Sequence, residues 1–72
     1  MADVGAIEVL VDGRPRPVRP GSTLADLVAE LGLAPRAMAT AVNGAFVARG
    51  QRGDCVLKAG DAVLLFQPIV GG

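Results

Sequence analysis

Two dipeptides constrain this 72-residue chain more than any other feature. Asp12-Gly13 and Asn43-Gly44 each interrupt a run that reads as strand on both sides. A two-residue hairpin turn of the favoured hand needs positive φ at both central positions, which Asx-Gly supplies with little strain. Before the first turn, "IEVLV" (Ile7 to Val11) alternates and is β-branched, the pattern of a strand. After it, Arg14 to Arg19 returns, but Pro15 and Pro17 cannot donate ladder hydrogen bonds, so this strand belongs at an edge. Around the second turn, "AMATAVNGAFVAR" supplies two more short strands.

Between the hairpins lies one helix. Thr23 is placed as its N-cap and Asp26, three residues on, can complete a capping box. Leu24, Leu27, Val28 and Leu31 follow the i, i+3, i+4, i+7 spacing of a single apolar stripe. Gly32 is positioned for the left-handed C′ residue, Leu33 for packing back on Val28, and Pro35 against continuation. "GQRGDC" is turn-like, Leu57 is the anchor beyond it, and Gly60-Asp61 is a further turn in which Asp61 stabilises its own loop. "AVLLFQ" (Ala62 to Gln67) is the last strand and the most continuous apolar run, so it belongs in the middle of a sheet, beside the first strand. One helix can cover only one sheet face. These elements describe an α+β, β-grasp (ubiquitin-like) domain over residues 1–67: a mixed sheet of five strands, or four main ones, with one helix on one face, then a tail over 68–72.

Composition excludes several functions. The apolar fraction of 51% suits a packed core, and with two Phe and no Trp or Tyr that core is aliphatic. Seven basic and seven acidic residues cancel, and there is neither a basic stripe nor an aromatic platform for nucleic acid. Arg14, Arg16 and Arg19 read as a solvated strand face, with contact to an acidic partner as the alternative. The single cysteine, Cys55, excludes an internal disulfide or a multi-cysteine cluster and reads as a small half-buried hydrophobe. The absence of histidine removes histidine-assisted nucleophiles and most transition-metal sites, so no metal is expected. No apolar run approaches the roughly 20 residues of a membrane span, and the N-terminus lacks the pattern of a secretory signal. The expectation is a soluble, cytoplasmic protein.

The chain ends "PIVGG". That ending, the Asn43-Gly44 hairpin, "LKAGDAV" before the last strand and the strand order together resemble the ubiquitin-like sulfur carriers, most closely the ThiS type of thiamine biosynthesis. "IEVLVDGRPRPV" is similar to that family's opening, with Asp12 where Asn is usual, and "STLADLVAELGL" to its capped helix. "AMATAVNGAFVAR" is similar to its second hairpin and "GDAVLLFQPIVGG" to its final strand and tail. The resemblance runs from about Ile7 to Gly72. Phe66 and Pro68 near the tail are also similar to MoaD, the small subunit of molybdopterin synthase. That relative opens with a different first strand and follows its helix with a longer segment.

The resemblance implies that Gly72 is the modified residue. An E1-like adenylyltransferase (ThiF/MoeB type) uses ATP and Mg to form an acyl-adenylate on the Gly72 carboxylate. Sulfur from a sulfur donor enzyme then replaces AMP, and a thiazole synthase (ThiG type) takes sulfur from the thiocarboxylate. The physical logic agrees, because a carboxylate is a poor electrophile until it carries a leaving group. Gly71 and Gly72 have no Cβ and can thread a recessed site, and Pro68 ends the strand ladder. The chain itself supplies no acid, base, metal or tightly bound cofactor. It is a protein co-substrate, not an enzyme.

Alternation suggests a docking surface. If Val63 and Leu65 face the helix, Leu64 and Phe66 point to the uncovered face and form a patch leading into Pro68, Ile69 and Val70. A slip of one residue exchanges the two sets and makes Phe66 core. Arg36, Arg49 and Arg52 are a further group that could meet acidic residues of an activating enzyme. The other readings are a carrier for molybdopterin, cysteine or secondary-metabolite synthesis, a β-grasp binding module, or a tag conjugated to lysines. A ferredoxin-type β-grasp is excluded by the single cysteine.

Overall fold

The computed structural model describes residues 5–34 and 37–67. Both Asx-Gly pairs form the turns their chemistry favours. Asp12 and Gly13 have φ of 52° and 83°, and Asn43 and Gly44 have φ of 52° and 83°. Such positive φ at both central positions is the signature of a tight hairpin whose twist matches its strands. The first turn joins β1 (Ile7–Val11) to β2 (Arg14–Val18), and the second joins β3 (Ala39–Val42) to β4 (Ala45–Val47). The final strand β5 (Ala62–Phe66) pairs parallel with β1 and antiparallel with β3. The sheet order is β2-β1-β5-β3-β4, a mixed five-stranded β-grasp sheet with the proline-bearing β2 at one edge.

The two turns also hold β5 in place. The Asp12 N–H donates to Val63 O at 2.9 Å, and its Oδ1 accepts from the Leu65 N–H at 3.1 Å. On the other side the Asn43 N–H donates to Ala62 O at 2.7 Å, and Asn43 Oδ1 accepts from the Ala62 N–H at 2.9 Å. Short polar residues therefore supply the turn conformation and satisfy the backbone of the inserted strand.

Helix α1 (Leu24–Glu30) has the reciprocal cap read from the sequence. The Asp26 N–H donates to Thr23 Oγ1 at 3.1 Å, and the Thr23 N–H donates to Asp26 Oδ2 at 3.0 Å. At the other end Gly32 has φ 72°, its N–H donates to Ala29 O, and the Leu33 N–H donates to Val28 O. Those are the two bonds of a Schellman ending. Leu24, Leu27 and Val28 are buried against Val9, Val18, Val63 and Leu57. Leu31, Leu33 and the free Cys55 pack partly buried around this core. Asp61 is committed to its own turn, accepting from the Lys58 N–H at 2.8 Å and from Asn43 Nδ2 at 3.0 Å. Among the described residues no helix is long and apolar enough to cross a membrane.

The turn-like segment after β4 is more ordered than its composition suggests. Arg49–Asp54 forms a 3-10 helix, and the residues after it are tied to the start of α1 by Leu24 N–H to Cys55 O and Leu57 N–H to Ser22 O, both 2.8 Å. This helix corrects the grouping of Arg52 with surface arginines, because Arg52 is only 4% exposed. Its Nε donates to Thr40 Oγ1 at 3.1 Å and its Nη2 to Met38 O, while Thr40 Oγ1 donates onward to Val47 O at 2.9 Å. The planar guanidinium reaches two acceptors at the start of β3, and the hydroxyl carries the link to β4. Arg49 is exposed, and Arg36 lies outside the described residues.

Two stability outcomes follow. Thr23→Ala should cost about 1 kcal/mol through loss of the cap. Arg52→Leu should cost roughly 1–3 kcal/mol, because it leaves buried acceptors without their donor. Urea unfolding checks both, as lower midpoints with unchanged slope. An Arg52→Leu midpoint equal to that of the parent chain would show that the buried network contributes nothing.

Candidate functional site

The two faces of the sheet differ because α1 covers only one. On β5, Val63 is fully buried beneath the helix and Leu65 is half-buried beside it. Leu64 and Phe66 point the other way and remain 48% and 45% exposed. Strand alternation makes this split obligatory once Val63 is in the core.

The register shows what joins them. Leu64 and Phe46 both lie opposite Ala41, Phe66 lies opposite Ala39, and Leu10 lies opposite Ala62. The open face therefore runs from Leu10 on β1, across Leu64 and Phe66, over a floor of Ala39 and Ala41, to Phe46 at the β4 edge. Phe46, 67% exposed, and Leu10 are the members that sequence reasoning missed. Their signal was present. Leu10 is out of phase with Ile7, Val9 and Val11, and Phe46 with Ala45 and Val47. Converting phase into a surface required knowing which strands are neighbours. On a monomer, contiguous exposed apolar surface of this kind marks an interaction site.

β5 leads directly out of this face. Phe66 is the last strand residue and Gln67 after it is exposed. The same end of the sheet carries the Asp12-Gly13 turn and the start of β3. Pro68, Ile69, Val70, Gly71 and Gly72, the tail residues singled out in the sequence, lie outside the described residues. Five residues can reach at most about 17 Å from Gln67.

The arginines around β2 are solvated, with Arg14 and Arg19 exposed and Arg16 half-buried, but Arg14 and Arg16 do not face away from the helix. Arg14 pairs with Val11 and Arg16 with Val9, which puts both on the helix side. Arg19 follows the strand and is exposed. Arg16 approaches Glu30 at 3.4 Å, with both side chains well exposed, a pair of little energetic weight. Its Nε is buried without a hydrogen-bond partner. The reason for this side is phase: Val18 is buried, so residues two and four positions earlier share its side of the sheet.

The register also predicts unequal costs. Val63→Ala should destabilise by about 1–3 kcal/mol, since it opens the core. Phe66→Ala and Phe46→Ala should each stay within about 0.5 kcal/mol of the parent. Denaturant melts of the three variants measure this, and a Phe66→Ala loss as large as that of Val63→Ala would place Phe66 in the core.

The sequence model of the ThiS family matches residues 9–72. Among solved structures the chain is similar to the crystal structure of the thiamine biosynthesis protein ThiS from Geobacter metallireducens. The two share 25% identity at a TM-score of 0.81, over 92% of this chain and 100% of that one. It is also similar to an NMR solution structure of a thiamine biosynthesis protein from the same organism. There the identity is 25% and the TM-score 0.70, over 92% of this chain and 88% of that one. No curated protein matches by sequence.

Proposed function

The chain belongs to the ThiS family, and on that premise we propose that it carries sulfur in thiamine biosynthesis as a thiocarboxylate on Gly72. The observation that carries this reading is that the family match extends through the terminal Gly71-Gly72, on a domain whose central strand points into that tail. An E1-like adenylyltransferase of the ThiF/MoeB type joins the Gly72 carboxylate to AMP, with ATP as the source and pyrophosphate as the leaving group. A sulfur donor enzyme supplies sulfur at the sulfide level, which attacks the acyl carbon; the C–O bond to AMP breaks, AMP departs, and a thiocarboxylate remains. A ThiG-type thiazole synthase is the acceptor. On the same reading the carrier works in the cytoplasm with these enzymes.

The division of labour follows from the chemistry. Activation needs a nucleotide site, which the partner provides. The carrier provides a carboxylate on a narrow stem and a surface that holds the stem in line. Gly71 and Gly72 present no Cβ to a confining channel. Pro68 lacks an N–H and ends ladder pairing, and Ile69 and Val70 offer apolar contact to the channel walls. Leu64 and Phe66, flanked by Leu10 and Phe46, dock on the partner before the tail enters. Docking energy gathered on this face holds the reacting carboxylate in place, which turns a collision into a positioned encounter.

Intact-mass spectrometry after incubation with the cognate adenylyltransferase, ATP-Mg and a sulfur donor should show a gain equal to sulfur for oxygen at Gly72. Deleting Gly71 and Gly72 should abolish that gain. Phe66→Ala should weaken adenylyltransferase binding by about tenfold or more, as loss of a central aromatic anchor does. An unchanged mass with an active partner would defeat the carrier reading, and higher-mass adducts on other proteins would indicate a conjugated tag instead. Sulfur transfer to an acceptor other than thiazole synthase would move the carrier to another pathway.

A further inference from the structure

The helix side of the sheet is not fully covered. α1 ends at Glu30 and the chain turns away at Gly32, while β1 and β2 continue to their turn. The uncovered end is a groove of about 720 Å³ with Val11 and Leu65 on its floor, Leu31 and Leu33 along one wall, and Arg14 and Arg16 along the other. Positions 14 and 16 share the phase of the buried Val18, yet both carry guanidinium groups, Arg14 exposed and Arg16 half-buried. A polar residue at a core-facing phase, with no compensation nearby, is where a sequence departs from folding requirements for another reason.

Compensation is indeed thin. Among the described residues Arg14 makes no ion pair or side-chain hydrogen bond, and Arg16 has only the 3.4 Å approach to Glu30. The nearest floor carboxylate, Asp12, already accepts from the Leu65 N–H. Each guanidinium has five donors in a planar fork suited to a carboxylate. Two forks beside leucine side chains match a segment that carries a carboxylate next to an aliphatic side chain.

We propose that this groove docks an acidic, aliphatic peptide segment of the partner that receives the tail. That partner's identity as the adenylyltransferase rests on the function proposed above. Position decides against a nucleotide as occupant. Gly72 lies seven residues beyond Leu65 and reaches about 23 Å from it when extended, so the groove meets the rim of the partner's tail channel and not its reaction centre. The open face and the groove then grip the tail-exit end from opposite sides of the sheet, one by apolar contact and one by charge.

Two titrations test this. The first follows the isotope-labelled full-length chain by NMR with acetyl-Leu-Asp-Leu-Glu-amide and its neutral Asn/Gln counterpart. Salt-sensitive shifts at Arg14, Arg16, Leu31, Leu33 and Leu65 are expected with the acidic peptide alone, and their loss in the Arg14→Gln/Arg16→Gln chain. The second measures affinity for the adenylyltransferase. That double variant should bind about tenfold more weakly with a flatter salt dependence, while Arg14→Lys/Arg16→Lys, which keeps the charge and loses the fork, keeps the salt dependence and only part of the affinity. Unfolding midpoints confirm that the variants are folded. Equal affinity and salt dependence in the glutamine variant, or no groove shifts with the acidic peptide, would overturn the proposal. So would tighter binding by that variant, which would mean that the chain's own C-terminal carboxylate occupies the groove. Failure of the parent chain to be adenylated would sink the functional reading alone and leave the peptide titration to decide the groove.

Discussion

The fold depends on inserting its last strand between two hairpins made long before it. β5 has no sequence neighbour in the sheet. Its partners lie on β1 and β3, and the Asp12–Leu65 bond closes a separation of 53 residues. Such closure is entropically costly and is repaid only when the whole strand docks. The chain meets that cost with residues it already needs for the turns. Asp12 and Asn43 take up positive φ for their hairpins and offer side-chain oxygens to the N–H groups of β5. Weakening either turn would therefore also loosen the strand from which the tail leaves.

With β5 central, the remaining arrangement follows from having one helix. Seven helical residues cover the middle of one face, where Val9, Val18 and Val63 meet Leu24, Leu27 and Val28. The opposite face stays apolar and open. The end of the helix-covered face, where Arg14 and Arg16 stand, is also left open. The uncovered regions converge on the end from which residues 68–72 extend. A carrier of the kind proposed above, reacting through its own terminus, would have no need of an internal cavity. It would need surfaces that position that terminus, and the open regions of this sheet lie at the end where β5 finishes.

The Arg52 network shows how a small domain holds a short edge hairpin. β4 has only three residues and would be marginal alone. A buried guanidinium bonded to Thr40 and Met38, with Thr40 bonded to Val47, joins the 3-10 helix to β3 and β4. Phe46 stands on that hairpin, so the brace also steadies one end of the open face.

Both turns, the capping box and the Schellman ending were legible in the sequence because each is local chemistry. Asp12-Gly13, Asn43-Gly44, Thr23 with Asp26, and Gly32 act within a few residues of themselves. The two faces of β5 were legible as alternatives, since alternation separates Val63 and Leu65 from Leu64 and Phe66 without saying which pair is inside. Tertiary structure decided that, by placing α1 over Val63. It also decided what no local pattern carries: Leu10 and Phe46 joining one surface through strands distant in sequence, Arg52 becoming core, and Arg14 and Arg16 facing the helix side. Those outcomes depend on which strands become neighbours and on where a seven-residue helix stops. Both are set by burying the aliphatic core as a whole, and no single segment encodes them.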